Sequence, residues 1–147
     1  MKQRTAIAHA APEGYRAVLN LERYVHDNVD AALLELVKIR ASILNNCAFC
    51  IDMHTTDALK AGEHRRRLFA VAAWQESPFF DDRERVAFAL TDALTEMGRD
   101  GVPDEIWAAA EANWSEKELA DLILAISVIN VWNRIAVSTH TQPPALV

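Results

Sequence analysis

Cysteine is scarce in this 147-residue sequence and occurs only at positions 47 and 50. Basic residues are also in deficit, since 15 Lys and Arg stand against 21 Asp and Glu and leave a formal net charge of −6 at pH 7. A chain with this balance presents no broad positive field to phosphate backbones or anionic lipid head groups. We therefore expect neither nucleic acid nor a membrane among its partners.

A long uninterrupted apolar run is missing as well. The longest apolar segment, residues 119–137, is interrupted by Asp121, Asn130, Asn133 and Arg134. It therefore predicts a buried helix or a subunit contact and not a membrane span. The N-terminal stretch MKQRTAIAHAAPEGY has only a broken apolar segment, too short for the core of a secretory signal. We expect a cytoplasmic protein, in which the reducing thiol pool would keep a permanent disulfide staple open.

No stretch alternates apolar and polar residues as a half-buried strand does, whereas helical spacing recurs throughout. With 51% apolar residues the chain can bury one core, and no repeat or linker divides it. We predict a single all-α domain, residues 1–147, of about six to seven helices. The predicted helices run from Pro12 to about His26, from about Ala31 to Leu44, through the cysteines to near Gly62, from about His64 to Trp74, from Asp81 or Asp82 to before Gly98 and Gly101, from Asp104 to Asn113 behind Pro103 at N1, and from Ser115 to about Val137.

The two cysteines form a CxxC motif with a histidine four residues after the second, in the stretch NCAFCIDMH. On a helix, Cys47, Cys50 and His54 share one face. The i, i+4 spacing of Cys50 and His54 allows the imidazole to accept a thiol proton or to stabilise a thiolate. Either effect lowers the cysteine pKa below its usual ~8.5.

The helix start favours the other cysteine. A cap at Asn45 or Asn46 would place Cys47 in the first turn, where free backbone N–H groups stabilise an anion. Local effects therefore leave the identity of the nucleophile open. They also leave open a redox pair, a metal site or inert cysteines, because zinc would need a further ligand or an open position. The other histidines, His9, His26, His64 and His140, include no second ligand pair.

Two charged residues lie on or beside the apolar face of the second predicted helix. Glu35 is at its edge, so it is either a solvated carboxylate or a partly buried group that orients His54 or relays its proton. Arg40 falls inside the apolar arc and predicts a pair with a buried carboxylate or a place in a subunit interface. We expect the four tryptophans to pack in the core or an interface, and the arginines of residues 65–67 to lie on a solvated face.

The stretch ELVKIRASILNNCAFCIDMHTTDALKAGE, residues 35–63, closely resembles the signature of the carboxymuconolactone decarboxylase-like superfamily, in its alkylhydroperoxidase D-like branch. That signature is a glutamate twelve residues before the first cysteine, then CxxC, then a histidine four after the second cysteine. It is present here as Glu35, Cys47, Cys50 and His54. The segments DRERVAFALTDALTE and INVWNRIAVSTH are similar to the same branch, so the resemblance covers most of the chain.

The resemblance implies an all-helical subunit that assembles into homotrimers or homohexamers and acts as a thiol peroxidase in antioxidant defence, without a cofactor or a metal. In the family's mechanism the second cysteine attacks the peroxide. This makes Cys50 the peroxidatic residue and Cys47 the resolving one, with His54 and Glu35 as a proton relay. The implied partners are a hydroperoxide substrate and an external dithiol or thioredoxin-like reductant.

One residue departs from the family pattern, because better-known peroxidase members carry a histidine where this chain has Phe49. An apolar side chain there removes one proton carrier and makes the pocket drier. The alternatives that remain are a general disulfide oxidoreductase, a decarboxylase-like lyase that does not use the thiols, a zinc-binding module and a non-catalytic assembly protein. Members that are true decarboxylases generally lack the cysteine pair, so its presence favours thiol chemistry.

Overall fold

The computed structural model describes residues 2–146, which fold into eight α-helices and one 3-10 turn without a β-strand. The helices are α1 (Ile7–Ala10), α2 (Pro12–Asn28), α3 (Ala31–Leu44), α4 (Ala48–Lys60), α5 (Arg65–Ala70), α6 (Asp82–Thr95), α7 (Asp104–Asn113) and α8 (Glu116–Thr139). The 3-10 turn, Val71–Ala73, continues α5. The prediction of an all-α fold is confirmed, and the extra helix is α1, whose four residues are too few to give a periodic pattern.

Helix α3 lies at the centre of the fold, where it contacts α4, α6, α8 and the 3-10 turn. Its residues from Leu34 to Ser42 are all buried except Glu35. A helix that is covered on all sides carries apolar residues around most of its circumference, which explains why this segment reads as only weakly amphipathic. The site described below combines a side chain of this central helix with the turn at its end and the first two turns of α4.

Arg40 pairs with a carboxylate, as one of its two predicted alternatives requires. Its Nε and Nη2 donate to the two oxygens of Asp92 at 2.6 and 2.9 Å, and its Nη1 donates to the carbonyl of Ala72 at 3.1 Å. The indole of Trp74 donates to the same carboxylate at 3.1 Å. This bidentate pair joins α3 to α6 and to the 3-10 turn, and it satisfies a charge that would be costly to bury alone.

A second buried cation on α3 is not predicted by the sequence pattern. The side chain of Lys38 is only 2% exposed, and its ammonium contacts a carboxylate oxygen of Glu22 on α2. The other oxygen of Glu22 accepts the indole N–H of Trp132, on α8, at 3.0 Å. The group therefore links three helices through one carboxylate.

Local capping signals set the start of three helices. Asp81 and Ser115 form capping boxes at α6 and α8, as their spacing from Glu84 and Glu118 requires. Asp30 caps α3. Pro103 does not occupy N1 as predicted, because its ψ of 140° is extended and makes it the N-cap of α7.

One of the three arginines of residues 65–67, which we expected on a solvated face, is placed differently. Arg67 does not lie on a solvated face, since it is half-buried between Glu84 and Glu63, whose hydrogen bonds raise the pKa of its guanidinium. Trp74 and Trp114 are buried and Trp132 is half-buried, whereas Trp107 is exposed.

Helix α8 is long and apolar enough to cross a membrane by length and composition, but 44% of its most apolar window is buried inside the chain. It packs against α2, α3, α4, α6 and α7. Core helices of this kind pass the same composition test, so the packing of α8 agrees with the predicted buried helix.

Candidate functional site

The turn between α3 and α4 places both cysteines. The N–H of Cys47 donates to the carbonyl of Ser42 at 2.9 Å, and the N–H of Asn46 donates to that of Ile43 at 3.1 Å. These are the two hydrogen bonds of a Schellman motif, with Asn46 as its left-handed residue at φ 53°. Asparagine tolerates this conformation better than most residues other than glycine.

The same turn corrects the predicted cap of α4. Asn45 ends α3, and Cys47 itself is the N-cap of α4, accepting the N–H of Cys50 on its sulfur at 3.4 Å. The prediction of an asparagine cap is wrong because both asparagines are used to close the preceding helix. Cys47 thus stands at the helix end, where backbone N–H groups converge, although not inside the first turn.

Cys47 and Cys50 are paired as a disulfide, with their Cα atoms 5.3 Å apart. Each is only 1% exposed. They form a small cluster with Ala136 of α8, and Phe49 packs against its edge. The disulfide therefore joins two cysteines that are three residues apart. It lies among apolar side chains, with Ala136 and Phe49 as its cover.

Phe49 is half-buried, whereas the other members of this cluster are buried. We therefore expect its ring to be the side chain that moves most easily when a reductant approaches the disulfide. We expect Phe49→Ala to speed reduction of the native disulfide by tris(2-carboxyethyl)phosphine about tenfold, because the removed contacts of a partly buried ring are worth about 1–2 kcal/mol. The measurement is the rate of thiol appearance in the folded protein. Phe79→Ala, which removes another half-buried ring far along the chain, is the matched control and should leave that rate unchanged. Equal rates in both variants would show that Phe49 does not limit access.

Glu35 and His54 meet across the α3–α4 interface. The Nδ1 of His54 lies 2.9 Å from an oxygen of Glu35, with the two side chains 7% and 20% exposed. A carboxylate can only accept, so this contact places a proton on Nδ1, and in the neutral imidazole Nε2 then carries the free lone pair. Of the two interpretations of Glu35, the structure supports the partly buried group that orients His54.

The second nitrogen of His54, Nε2, makes no hydrogen bond to another residue within residues 2–146. Since Cys50 is one turn earlier on the same helix face, the site combines a sulfur in an apolar cluster with an imidazole nitrogen that is available to accept a proton.

A polar network beside the turn was not predicted from the sequence. Asn45 donates to Asn130 and Asn133, both on α8, at 2.9 Å each, and Asn133 donates to the hydroxyl of Ser42 at 2.9 Å. Asn130 in turn donates to Thr95 at 3.0 Å. The sequence does contain a signal for this network, because two asparagines stand three residues apart inside the apolar segment 119–137. Amide side chains that are buried with such a segment need hydrogen-bond partners, whereas amides at the surface would not.

The other histidines do not join the cysteines. Within residues 2–146, no group of three or more His, Cys, Asp or Glu side chains is arranged to hold a metal ion. Of the predicted site residues, the structure pairs Cys47 with Cys50 and Glu35 with His54, and a single helix turn connects the two pairs. Such an arrangement can form and break a disulfide next to a proton acceptor, which is the chemistry of thiol oxidoreductases.

Comparison with known proteins places the chain in a family. Residues 10–93 match the model of the carboxymuconolactone decarboxylase family. YdfG of Bacillus subtilis, an uncharacterized protein, is 39% identical over 94% of this chain and 95% of its own length.

Solved structures share the fold. A crystal structure of an Agrobacterium tumefaciens protein of unknown function, described as a candidate antioxidant defence protein AhpD, has a TM-score of 0.95 and 37% identity over 99% of this chain and all of that one. The debrominase Bmp8, with bound 2,3,4-tribromopyrrole, has a TM-score of 0.82 at 18% identity over 93% of this chain and 74% of its own, and shows likeness of fold alone. From the family match, the relative and the shared fold, this chain is a member of the carboxymuconolactone decarboxylase family, in its alkylhydroperoxidase D-like branch.

Proposed function

We propose that the protein is a thiol-dependent peroxidase that reduces hydroperoxides with the Cys47–Cys50 couple. One observation carries the proposal. The two cysteines are paired, and Cys50 lies one helix turn before His54, whose Nδ1 is hydrogen-bonded to Glu35 so that Nε2 is left free. A thiolate, a nearby base and a second thiol within bonding reach are the parts that a two-cysteine peroxidase needs.

The proposed cycle begins at Cys50. The Cys50 thiolate attacks the O–O bond of ROOH, forming an S–O bond and releasing RO⁻, which takes up a proton to become ROH. The Cys47 sulfur then displaces water from the Cys50 sulfenic acid and closes the disulfide. Two electrons pass from the two thiols to the peroxide, and an external dithiol returns them by disulfide exchange.

The residue roles follow from family likeness together with the site's geometry. His54 Nε2 takes the proton of the Cys50 thiol and returns it to the leaving alkoxide, while Glu35 stabilises the imidazolium formed in between. Cys47, whose N–H donates to the carbonyl of Ser42, supplies the thiol that resolves the sulfenic acid. The apolar edge at Phe49 leaves this His–Glu pair as the proton carrier of the site.

The proposed assembly and location complete the hypothesis. We propose a homotrimer or homohexamer in the cytoplasm, with a thioredoxin-like protein as the reductant. Large exposed apolar side chains, among them Phe69 at 77% and Met97 at 61%, support subunit contacts. Light scattering coupled to size exclusion would give the subunit number, and a monomer would contradict this part of the proposal.

Steady-state turnover tests the function. With excess dithiothreitol, the protein should consume hydrogen peroxide and cumene hydroperoxide over many cycles, faster than dithiothreitol alone. The variant with both cysteines replaced by serine is the control and should show only the background rate. If that variant retained full activity, the thiols would not be the reacting groups.

The thiol pKa tests the relay. In the reduced protein, His54→Ala should raise the pKa of the reactive thiol, because it removes the group that accepts the proton and pairs with the thiolate. The pH profile of iodoacetamide alkylation should therefore move to higher pH. His64→Ala, which replaces an exposed histidine on another helix end, is the matched control. An unchanged profile in His54→Ala would refute the relay.

A further inference from the structure

Beside the redox pair lies a buried amide network that no step of the proposed cycle uses. Its central member is Asn133, which is 0% exposed, as is its partner Ser42. We propose that Asn133 is a positioning residue for Cys47, acting through Ser42 and Asn45 to hold the α3–α4 turn in the form that favours the disulfide. The inference rests on the proposed function, in which Cys47 and Cys50 are the redox couple.

Two chains of contacts run from Asn133 to Cys47. In the first, Asn133 Nδ2 donates to the hydroxyl of Ser42 at 2.9 Å, and the carbonyl of the same Ser42 accepts the N–H of Cys47 at 2.9 Å. In the second, Asn133 Oδ1 accepts from Asn45 at 2.9 Å, and Asn45 is the last residue before the left-handed Asn46. Asn133 therefore fixes both the start and the middle of the turn that ends at Cys47.

The same helix also packs against the sulfurs. Ala136, one turn after Asn133 on α8, belongs to the buried cluster of Cys47 and Cys50. A single rigid helix thus sets the turn through Asn133 and covers the disulfide through Ala136. Movement of the turn relative to α8 would break the buried hydrogen bond from Asn133 to Ser42 and the part-buried one from Asn45 to Asn133, which costs more than the loss of exposed ones.

Holding the turn matters for redox chemistry because a disulfide forms only over a narrow range of Cα separations. The observed 5.3 Å lies inside that range. If the network keeps the reduced pair near this separation, little conformational freedom is lost when the bond closes, and the disulfide is favoured. Without the network, the two reduced cysteines gain conformational freedom, whereas the disulfide still holds them together. The equilibrium then moves toward the dithiol.

The test is the equilibrium between the Cys47–Cys50 disulfide and dithiothreitol in the folded protein. Asn133→Leu, which keeps the approximate shape, and Ser42→Ala, which removes only one oxygen, are the two variants. We expect each to lower the equilibrium constant for disulfide formation about three- to tenfold, the effect of one buried hydrogen bond. The disulfide fraction is measured by alkylation and mass spectrometry after equilibration with known ratios of reduced and oxidised dithiothreitol.

Trp132→Phe is the matched control, because it breaks a hydrogen bond from the neighbouring residue of α8 to Glu22, in a different network. It should lower the unfolding temperature without moving the redox equilibrium. If Asn133→Leu does not fold, Ser42→Ala decides the question. An unchanged equilibrium constant in the folded variants, whatever their unfolding temperature, would overturn the proposal, as would a shift toward the disulfide. Peroxide takes no part in this equilibrium, so the failure of the peroxidase proposal would leave the shift in place.

Discussion

Replacing Cys50 with serine is expected to abolish peroxide consumption, by about a thousandfold or more, because a hydroxyl cannot act as the sulfur nucleophile. Cys47→Ser is expected to behave differently, since it retains the attacking sulfur and lacks only the thiol that resolves the product. It should complete one turnover and stall as a sulfenic acid on Cys50, which dimedone labelling and mass spectrometry would detect.

This asymmetry between the two variants is the informative result. Cys47 and Cys50 are equally buried, and replacing either one removes the same disulfide. A purely structural effect would therefore be similar in the two variants. Unfolding temperatures measured in parallel would show whether each variant is folded. Equal residual turnover in Cys47→Ser and Cys50→Ser would contradict the assignment of their roles, although not the presence of a redox pair.

Glu22→Gln is expected to lower the free energy of unfolding by about 3–5 kcal/mol, because it leaves the ammonium of Lys38 buried without an opposite charge. The amide keeps only one acceptor oxygen, which can serve Trp132 or Lys38 but not both in their present positions, so the change removes the charge and one acceptor. For a domain whose total stability is about 5–15 kcal/mol, this is a large fraction. Urea unfolding followed by circular dichroism gives the value.

The double variant Lys38→Met, Glu22→Gln separates charge burial from packing. It removes the unpaired ammonium and should recover more than half of the lost stability, since apolar groups of similar volume replace buried ion pairs at little cost. Asp57→Asn is the control, because its pair with Lys60 is exposed and should contribute less than about 0.5 kcal/mol. A loss below about 1 kcal/mol in Glu22→Gln, or no recovery in the double variant, would show that the pair is not a buried charge pair in energetic terms.

Features that depend on neighbours in sequence could be predicted well. The bounds of α3, the start of α6 at Asp81 or Asp82, the start of α8 at Ser115 and the end of α4 near Gly62 follow from local residue types, and each is confirmed. The error at the turn after α3 is also local in origin. An asparagine pair can end one helix or begin the next, and residue type alone does not distinguish a Schellman close from an N-cap.

Features that depend on distant residues could not be predicted in the same way. The partner of Lys38 lies sixteen positions earlier, and that of Asn45 lies 85 and 88 positions later. Only the packing of α2 and α8 around α3 brings them together. Arg40 shows the intermediate case, since its place in an apolar arc predicted some partner but could not specify Asp92.

The same difference between local and distant features holds for the candidate site. Its residues could be identified from spacing and family likeness, because Cys50 is about one helix turn from both Cys47 and His54 and the signature adds Glu35. The hydrogen bond from Glu35 to His54, the burial of both sulfurs and the amide network behind them required the folded arrangement. The proposed role of His54 as a proton acceptor rests on this arrangement.

If the reduced cysteine pair reacts with peroxide as a unit, oxidation in a single turnover will consume both thiols together. Fully reduced protein is mixed with hydrogen peroxide or cumene hydroperoxide in a stopped-flow instrument, and the cysteine peptide is then identified by mass spectrometry. We expect loss of two thiols per chain, much faster than oxidation of free cysteine at the same pH, with a Cys47–Cys50 disulfide as the product. Oxidation no faster than that of free cysteine would contradict the account and direct attention to disulfide exchange or to chemistry that does not use the thiols.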